Sequence, residues 1–218
     1  MYALMSLLVA GIEAGAGAMS KKVGATRKRR AMARAEPLTD ATAGSPRAVT
    51  GRAVTGPAGP VTAPLSGEPC VWYAVTVFER YQAWRPGPLG PVKVVRQVKV
   101  TERTSGPLHV MGDTAAVRVD VRSADLDLGE PAFTKYEDAP GGPLGARLNT
   151  ALGIRLRARH RERTLGFVVE ERVIAADDPI YVVGQARTEL GDLVIGKPTM
   201  RPFVISRPSA VQSTAGQG

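Results

Sequence analysis

Residues 63–77 constrain the fold most, because a turn signal leads directly into a strand signal. The first half of this run is rich in Pro, Ser and Gly, and strict alternation starts at Val71. Both alternating faces carry mainly β-branched, aromatic or other apolar residues, as expected for a strand that is covered on both sides. We therefore predict that this strand is the central strand of a β-rich domain.

Composition limits the size and the chemistry of that domain. At roughly 100 to 200 residues per domain, a chain of 218 residues favours one domain once both ends are set aside. Aromatic residues make up 5% of the chain, beside 24 Gly and 17 Pro, so we expect a modest aliphatic core with many turns. The single cysteine, Cys70, excludes an internal disulfide and any zinc site built from several cysteines. We interpret Cys70 as a buried apolar side chain.

The N-terminal segment predicts a membrane anchor. Residues 1–19 are apolar apart from Ser6 and Glu13. As a helix the segment would be roughly 28 Å long, close to the ~30 Å of a bilayer core. We therefore predict a transmembrane helix at residues 1–19, with Glu13 as an unfavourable group near its basic end.

The charges after this segment predict its orientation. A basic cluster follows without an intervening acid, and it comprises Lys21, Lys22, Arg27, Lys28, Arg29 and Arg30, with Arg34 further on. Positive charges after the apolar run predict a single-pass membrane protein with the N-terminus outside and the C-terminal domain in the cytoplasm. Two alternatives stay open. The segment could be a cleaved signal peptide, which the small residues 14–18 favour, or a buried helix of the folded domain.

The remaining segments predict the fold class. Residues 20–46 are interpreted as a basic juxtamembrane segment and linker, residues 47–209 as the β-rich domain, and residues 210–218 as a disordered tail. Some eight short strand patterns favour a mainly β fold, a small β-barrel-like or OB-like sheet domain with one packed helix. Apolar spacing places that helix from Pro143 to about Arg157. Residues 164–175 and 180–186, around a turn, predict a hairpin.

Eight residues of the opening run resemble the signature of the GIDE domain, and they are Pro64, Leu65, Ser66, Gly67, Pro69, Cys70, Trp72 and Tyr73. The resemblance continues in residues 108–120, 170–184 and 202–206, so it covers about residues 48–209. The family takes its name from a mitochondrial outer-membrane RING-type ubiquitin ligase and has many bacterial relatives. The resemblance implies a bacterial-type member without the RING, in which the signature residues are structural.

The residues predict no catalytic, cofactor or metal site. A RING needs about eight Cys and His ligands for its two zinc ions, and the chain holds only Cys70, His109 and His160. A ubiquitin-ligase-like role therefore stands as an alternative that comes from the family resemblance alone. Hydrolase, phosphate-loop and dinucleotide motifs are absent from the sequence. We interpret the acidic pair Glu170 and Glu171 as a solvated strand end.

Positive charge suggests the class of partner. The net charge is +9, and beyond the N-terminal cluster we predict contacts to an anionic surface from Arg155, Arg157, Arg159 and Arg161. The leading hypothesis is a membrane-anchored, non-catalytic interaction domain that binds a partner protein or lipid headgroups. A second alternative, a nucleic-acid-binding OB-like barrel, is disfavoured because only Tyr81 and Trp84 offer rings for stacking near the central strand.

Overall fold

A computed structural model describes residues 36–37, 46–112, 115–160, 163–189, 191–198 and 203–208, and these residues form fourteen strands and one helix. The strands are β1 (Glu36–Pro37), β2 (Pro46–Val54), β3 (Val61–Thr62), β4 (Pro69–Cys70), β5 (Trp72–Gly87), β6 (Gly90–Thr104), β7 (Leu108–Met111), β8 (Ala116–Val119), β9 (Asp125–Asp127), β10 (Phe133–Glu137), β11 (Thr164–Ile174), β12 (Pro179–Glu189), β13 (Asp192–Gly196) and β14 (Val204–Ser206). The helix is α1 (Pro143–Leu152).

The chain divides into two units that are interleaved in sequence. One unit comprises Gly51–Val119 and Leu128–Pro179. It contains the four-stranded sheet β10-β11-β5-β6 and the β3-β4 pair, together with the β7-β8 hairpin, whose first strand also pairs with the end of β2. The other unit comprises Met1–Thr50, Asp120–Asp127 and Ile180–Gly218.

Strand β5 is a central strand of the four-stranded sheet, as predicted. It pairs antiparallel with β11 on one side and with β6 on the other. Trp72, Ala74 and Thr76 on one face and Val75 and Val77 on the other are buried. The two-faced apolar pattern thus corresponds to a strand covered on both sides.

The predicted helix begins where expected and ends earlier. Pro143 occupies its first turn, where the missing N–H costs nothing. The helix ends at Leu152 rather than near Arg157, because Gly153 adopts the left-handed conformation (φ 65°) and its N–H bonds to the Asn149 carbonyl. A glutamate of β10 supports the other end, since Glu137 Oε2 accepts a hydrogen bond of 2.8 Å from the Leu144 amide.

The helix packs on the sheet through one aliphatic cluster. Its residues come from the signature segment, from β5, from α1 and the segment after it, and from β11, and they are Leu65, Val75, Val77, Leu144, Leu148, Ile154, Leu156, Phe167 and Val169. The predicted packed helix is therefore confirmed, and Leu65 anchors the signature segment in the same core.

The second unit is built on β12. This strand pairs antiparallel with β13 and with β14, and β14 pairs in parallel with β9. The predicted hairpin of residues 164–186 is therefore wrong. Strand β11 pairs with β10 and β5, whereas β12 pairs with strands of the other unit. The turn between them is present, with Asp177 at φ 65°.

The fold class is confirmed as mainly β with one packed helix, and five of the strands close into a barrel. The predicted transmembrane helix at residues 1–19 lies outside the described residues, as do the basic cluster and the tail. Within the described part of the chain, no helix combines the length and the apolar character needed to cross a bilayer. The predicted domain bounds, 47–209, stay a prediction.

Candidate functional site

The turn of the signature segment is held by a buried carboxylate. Glu171 on β11 is fully buried, and it accepts hydrogen bonds from the amides of Leu65 (2.9 Å) and Ser66 (2.6 Å). Two N–H donors aimed at one carboxylate compensate the loss of its hydration. The interpretation of Glu171 as a solvated residue is therefore wrong, and its two hydrogen bonds fix the loop that enters β5.

An arginine of α1 holds the same turn from its carbonyl side. Arg147 Nη2 donates to the carbonyl oxygens of Pro64 (3.0 Å) and Leu65 (2.7 Å). The turn thus donates hydrogen bonds to a carboxylate on β11 and accepts hydrogen bonds from an arginine on the helix. The signature turn ties the sheet and the helix together.

Cys70, Trp72 and Tyr73 of the signature lie in or against the protein interior, whereas Gly67 and Pro69 are exposed. Cys70 is buried, and burial raises the pKa of its thiol, which keeps it protonated and unreactive at neutral pH. Trp72 is fully buried, and its Nε1 donates to the Gly106 carbonyl at 3.0 Å. Tyr73 packs half-buried against the aliphatic cluster. In this structure the signature residues that reach the interior pack the core and hold the turn.

A second buried carboxylate lies further along β5. Glu79 is fully buried and accepts hydrogen bonds from the amides of Arg159 (3.0 Å) and His160 (3.1 Å), from His160 Nδ1 (3.0 Å) and from the Thr164 hydroxyl. Burial raises the pKa of Glu79, but the hydrogen bonds from Thr164 and His160 outweigh it and leave the pKa below its usual range. Glu79 is thus ionised at neutral pH, and its carboxylate organises the segment before β11.

This cluster has the residue types of a catalytic triad without its geometry. The Thr164 hydroxyl donates to Glu79 and not to the histidine, so His160 does not activate it as a nucleophile. The imidazole of His160 stacks on the ring of Tyr81, with centroids 3.5 Å apart and planes within 3°. The arrangement holds the loop in place, and it also occupies one of the two rings that the nucleic-acid alternative needs.

The predicted basic contacts near residue 160 fall into three groups. Arg155 and Arg157 are exposed and alternate with the buried Ile154 and Leu156. Arg159 is held at the sheet, where its Nη2 donates at 2.9 Å to the carbonyl of Val100, the residue that bulges out of the β5–β6 register. Arg161 lies outside the described residues.

The distal part of the β5–β6 hairpin has no third strand beside it. Strand β11 pairs with β5 only as far as Tyr81, which lies opposite Arg96 on β6. Residues 82–95 therefore form a ribbon of two strands and a turn, and these residues together with Arg96 at the base are named here the distal arm. At ~3.3 Å per residue the ribbon extends roughly 20 Å beyond the four-stranded sheet.

The distal arm carries most of the large apolar side chains that are exposed among the described residues. Six such side chains are exposed in total, and four of them belong to the arm: Trp84 (58%), Leu89 (92%), Val92 (40%) and Val95 (55%). A two-stranded hairpin alone is marginally stable in water, and grouped exposed apolar residues commonly mark an interaction site. The distal arm is thus the candidate functional site.

Apart from Trp84, which was named only as a ring for base stacking, the residues of this site were not predicted, although the sequence contains a signal for them. Trp84 precedes a turn rich in Pro and Gly, and Leu89 lies within that turn, where a large apolar side chain has no core to enter. Among the described residues, no cluster of three or more His, Cys, Asp or Glu side chains is arranged to hold a metal ion.

Comparison with known families gives one match. The model of the GIDE family, described as an E3 ubiquitin ligase, matches residues 96–212, which is just over half of the chain. The match begins in β6, so the signature segment and β5 lie before it. No curated protein and no solved structure matches the chain.

Proposed function

The chain belongs to the GIDE family, and we propose that it is a non-catalytic interaction domain that contacts its partner through the distal arm of the β5–β6 hairpin. The observation that carries this proposal is the concentration of exposed apolar side chains on the arm, led by Leu89 and Trp84. In contrast, the buried carboxylates of Glu79 and Glu171 are taken up by hydrogen bonds to the protein's own backbone.

The partner belongs to one of two classes, a protein or lipid headgroups. Residues 1–19 are part of the proposal as a single membrane anchor that leaves the domain on the cytoplasmic side. Such an anchor would keep the arm near a bilayer and raise its local concentration there. The exposed Arg155 and Arg157 add positive charge to the same unit.

A ubiquitin-ligase role is the second candidate, because the family model is described as an E3 ubiquitin ligase. The RING of such ligases needs about eight zinc ligands, and the 218 residues contain one cysteine and two histidines. A discharge assay with a ubiquitin-charged conjugating enzyme decides this point. We expect the chain to leave the discharge rate unchanged, and clear stimulation would contradict the non-catalytic proposal.

Site-specific crosslinking tests the role of the arm. A photoreactive amino acid replaces Leu89 in the full chain, and the control carries it at Met111, another exposed apolar position (46%) on β7. After irradiation in native membranes, we expect a lipid or protein adduct from position 89 and none from position 111. Adducts from neither position, or from both equally, would overturn the proposal.

A further inference from the structure

We propose that the distal arm binds an anionic bilayer surface, with the turn around Leu89 entering the headgroup region. This inference rests on the proposed function and names the partner of the same site. It commits to lipid, and a protein partner is an outcome of the test.

Charge is the first argument. Between Gln82 and Arg96 the arm contains Arg85, Lys93 and Arg96 and no acidic residue. Each basic side chain near an anionic leaflet strengthens binding about fivefold. The three charges lie within a few residues of the exposed apolar side chains, which is the combination found in segments that lie at a membrane interface.

The positions of the side chains on the ribbon give the second argument. The register places Trp84 opposite Lys93 and Gln82 opposite Val95, so Trp84, Lys93 and Val95 share one face. Lys93 Nζ lies 5.4 Å from the centre of the Trp84 ring. Tryptophan and lysine are residue types that prefer the boundary between headgroups and acyl chains, and here they lie side by side next to an apolar tip.

The backbone of the turn is the third argument, and it favours lipid over protein. Residues 86–91 read Pro-Gly-Pro-Leu-Gly-Pro, so three of the six residues lack a backbone N–H. A backbone donor that enters a poorly hydrated layer without an acceptor is costly, and proline removes that donor. The same prolines prevent a partner strand from pairing with the tip, because they cannot donate to a ladder.

Fluorescence from Trp84 tests the contact in the full chain. The protein is reconstituted by detergent removal into phosphatidylcholine vesicles with or without phosphatidylserine, each containing a phosphatidylcholine brominated on its acyl chain as quencher. If residues 1–19 anchor the chain, detergent removal inserts it into the vesicles, and if they do not, the chain is left in solution, where the arm can bind the vesicle surface. The only other tryptophan, Trp72, is fully buried, so the Trp84→Phe variant measures the background and the fold in the same spectrum.

We expect strong quenching in phosphatidylserine vesicles, little in phosphatidylcholine alone, and none in Trp84→Phe. The double variant Lys93→Glu with Arg96→Glu should lower quenching at least about fivefold. The matched control reverses two exposed lysines off the arm, Lys135→Glu with Lys197→Glu, and should retain it.

Replacement of the apolar tip gives an independent check. Leu89→Asp should abolish the quenching, while Met111→Asp should leave it unchanged, since both replaced side chains are exposed and only one is on the arm. A far-UV circular dichroism spectrum that is unchanged in each variant verifies that the domain is folded.

Three results would overturn the lipid assignment: no quenching in either vesicle, equal quenching in both, or equal losses in the arm and control variants. If quenching is absent while position 89 crosslinks to a protein, the interaction domain stands and its partner is a protein. If quenching occurs as expected and ubiquitin discharge is also stimulated, the lipid assignment stands and the non-catalytic proposal fails.

Discussion

The two halves of β5 have the same strand geometry, but the first half is enclosed by the protein and the second half is more exposed. Residues 72–81 lie between two strands, with Trp72 fully buried and Glu79 enclosed by hydrogen bonds. From residue 82 onward the strand has one neighbour, and Trp84 is 58% exposed. The difference teaches that one strand serves first as core and then, in the proposed function, as a binding element, and that the loss of the β11 neighbour marks the change.

The largest expected effect comes from removal of the buried tryptophan. Trp72→Ala leaves a cavity and an unpaired Gly106 carbonyl, so we expect a loss of about 3–5 kcal/mol in the free energy of unfolding. Denaturant titration followed by far-UV circular dichroism measures it. A loss below about 1 kcal/mol would show that the first half of β5 does not carry the core.

The next effect concerns the signature turn. Glu171→Ala removes the acceptor of the buried Leu65 and Ser66 amides, and we expect a loss of about 3 kcal/mol. The neighbouring Glu170 bonds to Arg172 at 2.7 Å near the surface, and Glu170→Ala should cost less than about 1 kcal/mol. Equal losses in the two variants would contradict the assignment of Glu171 as the residue that fixes the turn.

Acid should weaken the buried half of β5 through Glu79. Its folded pKa lies below the unfolded value of about 4.3, so its contribution is present above that pH and is lost as the pH falls through the folded pKa. We expect Glu79→Gln to cost about 2 kcal/mol at neutral pH and to flatten the decline in stability below about pH 4. Unfolding curves between pH 7 and pH 3 measure both effects. An unchanged slope would show that Glu79 does not titrate differently on folding.

The smallest effect on stability belongs to the exposed tryptophan. Trp84→Ala should change the free energy of unfolding by less than about 0.5 kcal/mol, because the ring buries little surface within the chain. The same variant should lose binding to the partner. A loss comparable to that of Trp72→Ala would remove the distinction between the two halves of β5.

Local patterns predicted the elements whose cause is local. Alternation from Val71 identified the central strand, and Pro143 identified the start of the helix. The end of the helix was missed because apolar spacing continues through Leu156, which is buried without being helical, while Gly153 ends the hydrogen bonding.

Features that depend on distant residues could not be predicted. Glu171 bonds to amides more than one hundred positions away, and Glu79 to amides about eighty positions away, so the sequence alone shows two charged residues on strands. The predicted hairpin failed for the same reason. A turn joins β11 to β12, but the pairing of each strand is decided by segments far along the chain.

Amide hydrogen exchange along β5 tests the central claim most directly, because one experiment reports on both halves of the strand. In the free protein we expect the amides of residues 72–81 to exchange near the rate set by global unfolding and those of residues 82–87 to exchange far faster. Added phosphatidylserine vesicles should slow exchange in residues 82–87 and leave residues 72–81 unchanged. Uniform protection along β5 in the free protein, or exchange in the distal arm that vesicles do not alter, would contradict the account.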